Sequence, residues 1–307
     1  MREAGAYGPP LSMQVAHIIP ARDKAARVAK TVHSVLNQTY PCHVVLSDQG
    51  STDGTLQIMR DIALEYRGPH KVSVLSCPDT EPKGMRGMNA HLDWIMSVID
   101  EDVVLITSAD DIAYSERTAK VVRAFIDHRP DMVLTAIHFV EPNGDMYGIT
   151  GGDLPEGFVT PTLCLEGMVG GSTSHAMTRD FYEAVGGFKS IAGFDAYMPF
   201  LATVRKGAWF VKEPLHAYVR HADPKNTGLE GVYRAADERG KVQLEELMHF
   251  QCQTAFVRAA LVMQSWGEVT EEARNAIFNQ ILGRAASWSA VRERMSVEKI
   301  EPISLKA

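Results

Sequence analysis

Carboxylates recur at the ends of apolar, strand-like runs in the first 111 residues of this chain, and their placement suits the handling of a phosphorylated ligand. The run Val44–Ser47 stops at Asp48, and a Gly50-Ser51-Thr52-Asp53-Gly54-Thr55 turn leads into an apolar periodic segment from Leu56. A carboxylate at the C-terminal tip of a strand, beside a Gly-rich turn, is where open α/β sheets place ligand contacts. Ser51 or Thr52 can also cap the next helix, so a plain strand-to-helix turn is the competing reading. Asp23 follows the first strand-like run, and Asp110-Asp111, in ITSADD, follows the fourth. Parallel strands deliver their C-terminal tips to one edge of a sheet, so these acids are expected to converge. Neighbouring acids repel unless a cation or hydrogen bonds compensate. A hard divalent ion, Mn2+ or Mg2+, bridging to ligand phosphates is the usual solution. A helix cap is the plain alternative for Asp110.

Two phosphate-binding schemes are excluded. A dinucleotide fold needs GxGxxG after the first strand, where this chain has Pro20-Ala21-Arg22-Asp23, and a P-loop needs a GK[ST] ending that is missing. Phosphate contacts then fall to a metal and to basic side chains. Lys83 and Arg86 in EPKGMRGMNA are the candidates, against a plain solvated loop.

The elements that position these residues alternate. Val15–Ile19, Val44–Ser47, Lys71–Ser76, Val103–Thr107 and Met132–Val140 read as strands. Residues 23–36, Leu56–Tyr66, the Met88/Leu92/Ile95/Ile99 series and residues 116–128 read as helices between them. This rhythm predicts an α/β fold, a mostly parallel central sheet flanked by helices on both faces. Glu141–Asp145 then reads as a hairpin turn, and the Gly- and Pro-rich residues 150–171 as a loop over the site. Further helices are expected over Thr178–Val185 and Asp195–Arg205, with strands over Ala208–Val211 and Leu215–Arg220. Residues 230–263 and 270–295 favour helix. Their apolar stripe of Ile277, Ile281, Ala285 and Trp288 would pack on its own domain or on a second subunit, a possible homo-oligomer contact.

Bulk properties narrow the class. The chain has 307 residues, 45% apolar and 22% charged, with a net charge of −7, which argues against a broad polyanion-binding face. Four dispersed cysteines form no CxxC pair, and no apolar run approaches a membrane span. The N-terminal residues lack a signal-peptide core, so a cytoplasmic protein is expected.

The segment AHIIPARDKAARVAKTVHSVLNQTYPCHVVLSDQGSTDGT resembles the opening of family 2 glycosyltransferases of the GT-A fold. That family shows IIPAYNE, SVLNQTYP, a VDDGSTDGT-like turn, a Gly-rich segment with an Asn (here Gly84 to Asn89) and a DADD-like metal motif. Later it shows GGF, an acidic pair on a helix and YR-x-H. The counterparts here are Gly186-Gly187-Phe188, Phe194-Asp195 and Tyr218-Val219-Arg220-His221. The resemblance covers about residues 13–227, a donor half over about 13–140 and an acceptor half over about 141–227, and leaves 228–307 as a helical C-terminal extension.

By this resemblance the chain is a metal-dependent transferase moving sugar from a nucleotide-diphosphate donor, a UDP-sugar, to an acceptor hydroxyl. Ala21, Arg22, Asp23 and Asp48 would hold the nucleoside, with Lys83, Arg86, Asn89 and Ser108 also on the donor. Asp110 would bind the metal, His221 the metal or diphosphate, and Asp195 would be the general base. Three departures stand out. Ser108 occupies the position of the first metal-motif Asp, Gln49 replaces the second Asp of the VDDGS turn, and Phe194 replaces the Glu of the acidic pair. QxxRW, a mark of processive polymer synthesis, is missing too. A noncatalytic nucleotide-sugar or glycan-binding module and a sugar-nucleotide pyrophosphorylase are the competing functions. The latter would want glycines that PARDKAAR lacks. The acceptor stays open among saccharide, lipid-linked sugar, protein, small metabolite and nucleobase. For a nucleobase in DNA, Arg284, Arg292, Arg294 and Lys299 could line a local groove, and a solvated helix face is the plain alternative.

Overall fold

The computed structural model describes residues 13–77, 85–166, 174–188, 194–220, 241, 257, 259–263, 265–266 and 269–279. The elements run β1 (Val15–Ala21), α1 (Val28–Leu36), β2 (His43–Gln49), α2 (Thr55–Glu65), β3 (Lys71–Cys77), α3 (Met85–Val98), β4 (Val103–Ile106), β5 (Ile112–Ala113), α4 (Arg117–His128) and β6 (Met132–Val140). They continue with β7 (Met146–Thr150), β8 (Gly157–Phe158), α5 (Pro161–Glu166), β9 (Ala176–Thr178), α6 (Arg179–Ala184), α7 (Phe194–Val204) and β10 (Ala208–Val219).

One sheet carries the order β3-β2-β1-β4-β9-β6-β10-β5, with β7 on β6 and β8 on β10. The β3-β2-β1-β4 block is parallel, as is the long β6–β10 pairing. Antiparallel β9 joins the two blocks. Successive side chains of a strand face opposite sides. Ala16 and Ile18 of β1 therefore enter one core with α3, α6 and α7, where Leu92, Ile95, Phe181, Met198 and Leu201 are buried. Val15, Ile19 and Ala21 enter the other with α1, α2 and α4, around Val32, Met59, Val121 and Phe125. Each such fully buried side chain contributes about 1.5–3 kcal/mol of transfer free energy. Buried on both faces, β1 and β4 read as continuous apolar runs.

The predicted α/β architecture is present, with several changes of detail. Ala208–Val211 and Leu215–Arg220 are one strand, because the register shifts about Pro214 absorb the polar Lys212-Glu213-Pro214 interruption as a bulge. The first helix begins at Val28, after residues 23–27 have been drawn into a loop. Thr178 closes β9 and caps α6 through its side chain on the Phe181 amide. Glu141–Asp145 does turn between β6 and β7, with Gly144 at φ +95°. Within 150–171 the structure inserts β8 and α5. Arg179 ties the new β9–α6 corner to α3 by donating to the carbonyls of Met96, Ile99 and Glu101. Ile277, from the apolar stripe, is buried in the core shared with Cys164 and Tyr197. Ile281, Ala285 and Trp288, and the basic residues from Arg284 onward, lie outside the described residues. Cys42, Cys77 and Cys164 are buried free thiols. Among the described residues no helix is long and apolar enough to cross a membrane.

Candidate active site

The order β2-β1-β4 places the tips bearing Asp48, Asp23 and Asp110 side by side. The loop after β1 is sewn to the Gly50–Thr55 turn by a short series of bonds. The Asp23 amide donates to Ser51 Oγ at 2.9 Å, and the Thr52 amide returns to Asp23 Oδ1 at 2.8 Å. The Lys24 amide donates to Thr55 Oγ1 at 2.7 Å, and the Ala25 amide to Asp53 Oδ2 at 2.9 Å. Asp53 also accepts from both the amide and the hydroxyl of Thr55. The Ser, Thr and Asp of this turn therefore hold the neighbouring loop, whereas α2 takes Gly54, at φ +96°, as its N-cap with no side-chain cap, so neither Ser51 nor Thr52 caps it as expected. Asp23, at φ +50°, sits in the left-handed region that few non-glycine residues adopt. Its carboxylate is occupied by the turn.

Asp48 pairs in register with Ala21 at the ends of β2 and β1. It is 1% exposed. Oδ2 accepts the Ser51 amide at 3.0 Å. Oδ1 is sealed from water and has no hydrogen-bond partner among the described residues. Its neighbour Gln49 donates through Nε2 to the Gly87 carbonyl at 3.0 Å, reaching the first turn of α3. A carboxylate at this position could not make that bond, which gives the Asp-to-Gln departure a structural role. Ser47 meets His91 Nε2 at 2.7 Å on the same helix, and burial depresses His91 to about 4. Asn89 is fully buried on α3. Arg22 is half-buried in the loop after β1.

Asp110 and Asp111 point to different partners. The Asp110 carboxylate carries the Lys24 ammonium in an ion pair with both side chains less than a fifth exposed. Asp111 turns inward, is 1% exposed, and accepts the Val219 amide on Oδ1 at 3.1 Å. Below it lies Arg117, fully buried, donating to Thr107 Oγ1 at 2.6 Å and the Ile106 carbonyl at 2.9 Å. Burial lowers Arg117 to about 9, while the Asp111 charge acts the other way. The repulsion expected between the two acids is thus relieved by a lysine, a backbone amide and an arginine. Ser108 is half-buried, and its carbonyl accepts the Asp111 amide at 3.0 Å.

The GGF turn is fixed from two helices. Asp93 Oδ1 on α3 accepts the Tyr182 hydroxyl and the Phe188 amide, both at 2.8 Å. Tyr197 on α7 donates to the Phe188 carbonyl at 3.1 Å. Gly186 and Gly187 take φ +74° and +80°. A Cβ on Gly187 would lie 2.7 Å from Asp93 Oδ1. Asp195 is the second residue of α7, and Arg86 lies in the first turn of α3. The side chains of both are outside the described residues, as are Lys83 and His221 entirely.

Lys24, Asp93 and Arg117 are the residues that reading the sequence missed, and Gln49 was read only as a departure. For Lys24 a cue existed, since IIPARDK puts a lysine where IIPAYNE has a glutamate. Asp93 and Arg117 show no local pattern.

The family resemblance implies a divalent ion at Asp110. Among the described residues no group of three His, Cys, Asp or Glu side chains could hold one. Asp110 bears an ammonium, Ser108 offers a hydroxyl where an acid is usual, and Asp111 faces the interior. As arranged, the described side chains do not fit a divalent ion.

The sequence model of Glycosyl transferase family 2 matches residues 17–184, more than half the chain. The EpsE protein of Bacillus subtilis (strain 168), whose own naming as a glycosyltransferase is provisional, is 24% identical over 165 residues, covering 53% of this chain and 56% of that protein. The chain thus spans little more than half the length of this curated relative. S. aureus TarS 1–349 in complex with UDP-GlcNAc superposes with a TM-score of 0.60 at 15% identity, covering 90% of this chain and 73% of that one. Mannosyltransferase PcManGT from Pyrobaculum calidifontis, in complex with GDP-Man and Mn2+, superposes with a TM-score of 0.60 at 18% identity, covering 95% and 76%. The fold is therefore that of the GT-A glycosyltransferases, and the family match, the sewn Gly50–Thr55 turn and the GGF turn agree: the chain belongs to glycosyl transferase family 2.

Proposed function

We propose that this chain transfers a sugar from a nucleoside-diphosphate donor to an acceptor hydroxyl, by direct displacement with inversion. The observation that carries this reading is the Oδ1 atom of Asp48, a carboxylate oxygen withdrawn from water at the ligand-bearing edge of the sheet. Such an acceptor costs about 1–3 kcal/mol while unpaired. The imide N–H of a uracil base would satisfy it. TarS is described with UDP-GlcNAc and PcManGT with GDP-Man, which supports a nucleotide-sugar donor here. A UDP-sugar is the donor we assign.

On the acceptor side, Asp195 is the assigned base. It lies in the first turn of an 11-residue helix, whose N-terminal dipole favours the ionised carboxylate that a base needs. In the step, the acceptor oxygen bonds to the anomeric carbon as the bond from that carbon to the diphosphate breaks. The electron pair leaves with the nucleoside diphosphate, and the acceptor proton passes to Asp195. PcManGT is described with Mn2+, and Mn2+ or Mg2+ is the cation the family resemblance implies, held by Asp110 and His221. The described side chains do not fit such an ion.

The acceptor class is to be found by supplying labelled UDP-GlcNAc, UDP-glucose and GDP-mannose to the purified chain with pooled saccharide, peptide, lipid-linked and nucleobase acceptors. Release of nucleoside diphosphate with label incorporation is expected. Tight donor binding with no release in any pool would mark a noncatalytic nucleotide-sugar module, the reading that Phe194 and Ser108 favour. Binding of no donor would end both.

A further inference from the structure

We propose that the Lys24 ammonium is the cation that receives the donor diphosphate at this site, in the place a divalent metal takes in the family pattern. The proposal rests on the glycosyl-transfer reading above.

Lys24 starts from a fixed point. Its amide is held by Thr55 Oγ1, its carbonyl accepts the amides of Arg27 and Val28 at 2.9 and 2.8 Å, and both chain neighbours are tied to the Gly50–Thr55 turn. From there the side chain crosses to the tip of β4 and places its ammonium on Asp110, 86 residues away. The pair is partly withdrawn from solvent, at 18% and 15% side-chain exposure.

The charges decide the site's preference. A hard divalent ion wants several anionic oxygens. Here the acid expected at 108 is a serine, the acid at 111 is spent on the Val219 amide above Arg117, and the remaining acid at 110 already faces a cation. An ammonium and one carboxylate sum to zero, which gives a divalent ion little to bind, while the ammonium still presents N–H donors to an incoming diphosphate. An ammonium has three donors, so it can keep Asp110 as its anchor while bonding to phosphate oxygens. As the anomeric carbon–oxygen bond breaks, the electron pair goes to the departing diphosphate. The Lys24 ammonium offsets that charge from a pre-set position. The IIPARDK stretch thus supplies the missing cation from the same loop that carries Asp23.

The experiment uses the full chain with its donor sugar, in excess EDTA and in millimolar Mn2+, reading nucleoside diphosphate release and, separately, UDP and GDP affinity by calorimetry. Wild type is expected to turn over in EDTA at a rate within a few fold of that in Mn2+. In EDTA, Lys24→Met is expected to lose about 10²–10³-fold in turnover, the range for removing a preorganised charge-stabilising group. It should also bind the diphosphate at least about tenfold more weakly, roughly one lost charge-assisted contact. Added Mn2+ should leave wild type unchanged. Lys24→Arg, which keeps the charge, should retain most of the affinity. Wild-type turnover that vanishes in EDTA and returns with Mn2+ would overturn the Lys24 assignment and leave glycosyl transfer standing. So would a folded Lys24→Met that matches wild type in EDTA. Neither turnover nor nucleotide binding in either medium would instead overturn the transfer reading on which it rests.

Discussion

The carboxylate of Asp93 accepts the amide of Phe188 across 95 residues of chain, joining the helix that carries Asn89 to the turn that leads toward Asp195. The same oxygen accepts the Tyr182 hydroxyl, so a neutral amide oxygen would serve both donors. Asp93→Asn is therefore expected to cost little. Asp93→Ala should cost about 1–3 kcal/mol, because it leaves a buried amide without its partner. Gly187→Ala adds left-handed strain and a 2.7 Å approach to Oδ1, and should be worse than Asp93→Asn. Urea unfolding would rank the three, and an Asp93→Asn loss equal to that of Asp93→Ala would remove the hydrogen-bond account.

Asp48→Ala should weaken UDP binding by about 1–3 kcal/mol, the loss of one partner at a desolvated group. Calorimetry reads this directly, and unchanged UDP affinity would take Asp48 out of the donor site.

For Asp195, the second residue of α7 and so not its N-cap, the asparagine variant separates a structural role from a base. Asp195→Asn keeps the shape but loses proton affinity. A base should lose roughly 10²–10⁴-fold in turnover with donor affinity intact. Near wild-type turnover on a working acceptor would show that Asp195 is only structural.

Beneath the rim, Arg117 and Asp111 should behave as a unit. Removing one charge of a buried pair costs about 3–5 kcal/mol. Arg117→Met should fall in that range, and Arg117→Lys should not rescue it, because lysine lacks the fork that reaches both Thr107 and the Ile106 carbonyl. In Arg117→Met/Asp111→Asn the combined loss should be well below the sum of the single losses. Strict additivity would mean the two charges are uncoupled.

Acid should destabilise this fold before its carboxylates titrate. Burial, with the Arg117 charge next, pushes His17 and His216 well below 6.5 and His175 to about 3, and burial alone lowers His91 to about 4. These histidines are neutral when folded, so below 6.5 the unfolded chain binds more protons. Their contribution is complete above pH 6.5 and is lost as pH falls toward 4, with a slope of up to about 1.4 kcal/mol per pH unit for each. Melting temperature should decline steadily from pH 6.5 to 4.5. His91→Gln, whose amide can still meet Ser47, should flatten that decline. An unchanged slope in the variant would contradict the role given to His91.

The first half of the fold was legible because its signals are local. Continuous apolar runs marked β1, β2 and β4, and the Gly50–Thr55 composition named its own turn. What escaped depends on distant partners. β9 has three residues, too few for any periodicity, and exists because β4 and β6 each leave an edge for it. Lys24 and Asp110 are polar loop residues until β1 and β4 lie side by side. Gln49 reads as a loss of charge in the sequence, and its amide bond to Gly87 appears only once α3 has packed.

The seam at β9 also sets an order of events. Residues 15–106 complete four adjacent parallel strands from near neighbours in the chain, whereas β9 closes on β4 only after residue 178 has been made. During synthesis the tips bearing Asp23, Asp48 and Asp110 can assemble while the GGF turn and α7 are still inside the ribosome. The seam is the long-range closure, so the edge that carries the three acids is built from local pairings and the GGF turn and α7 join it last.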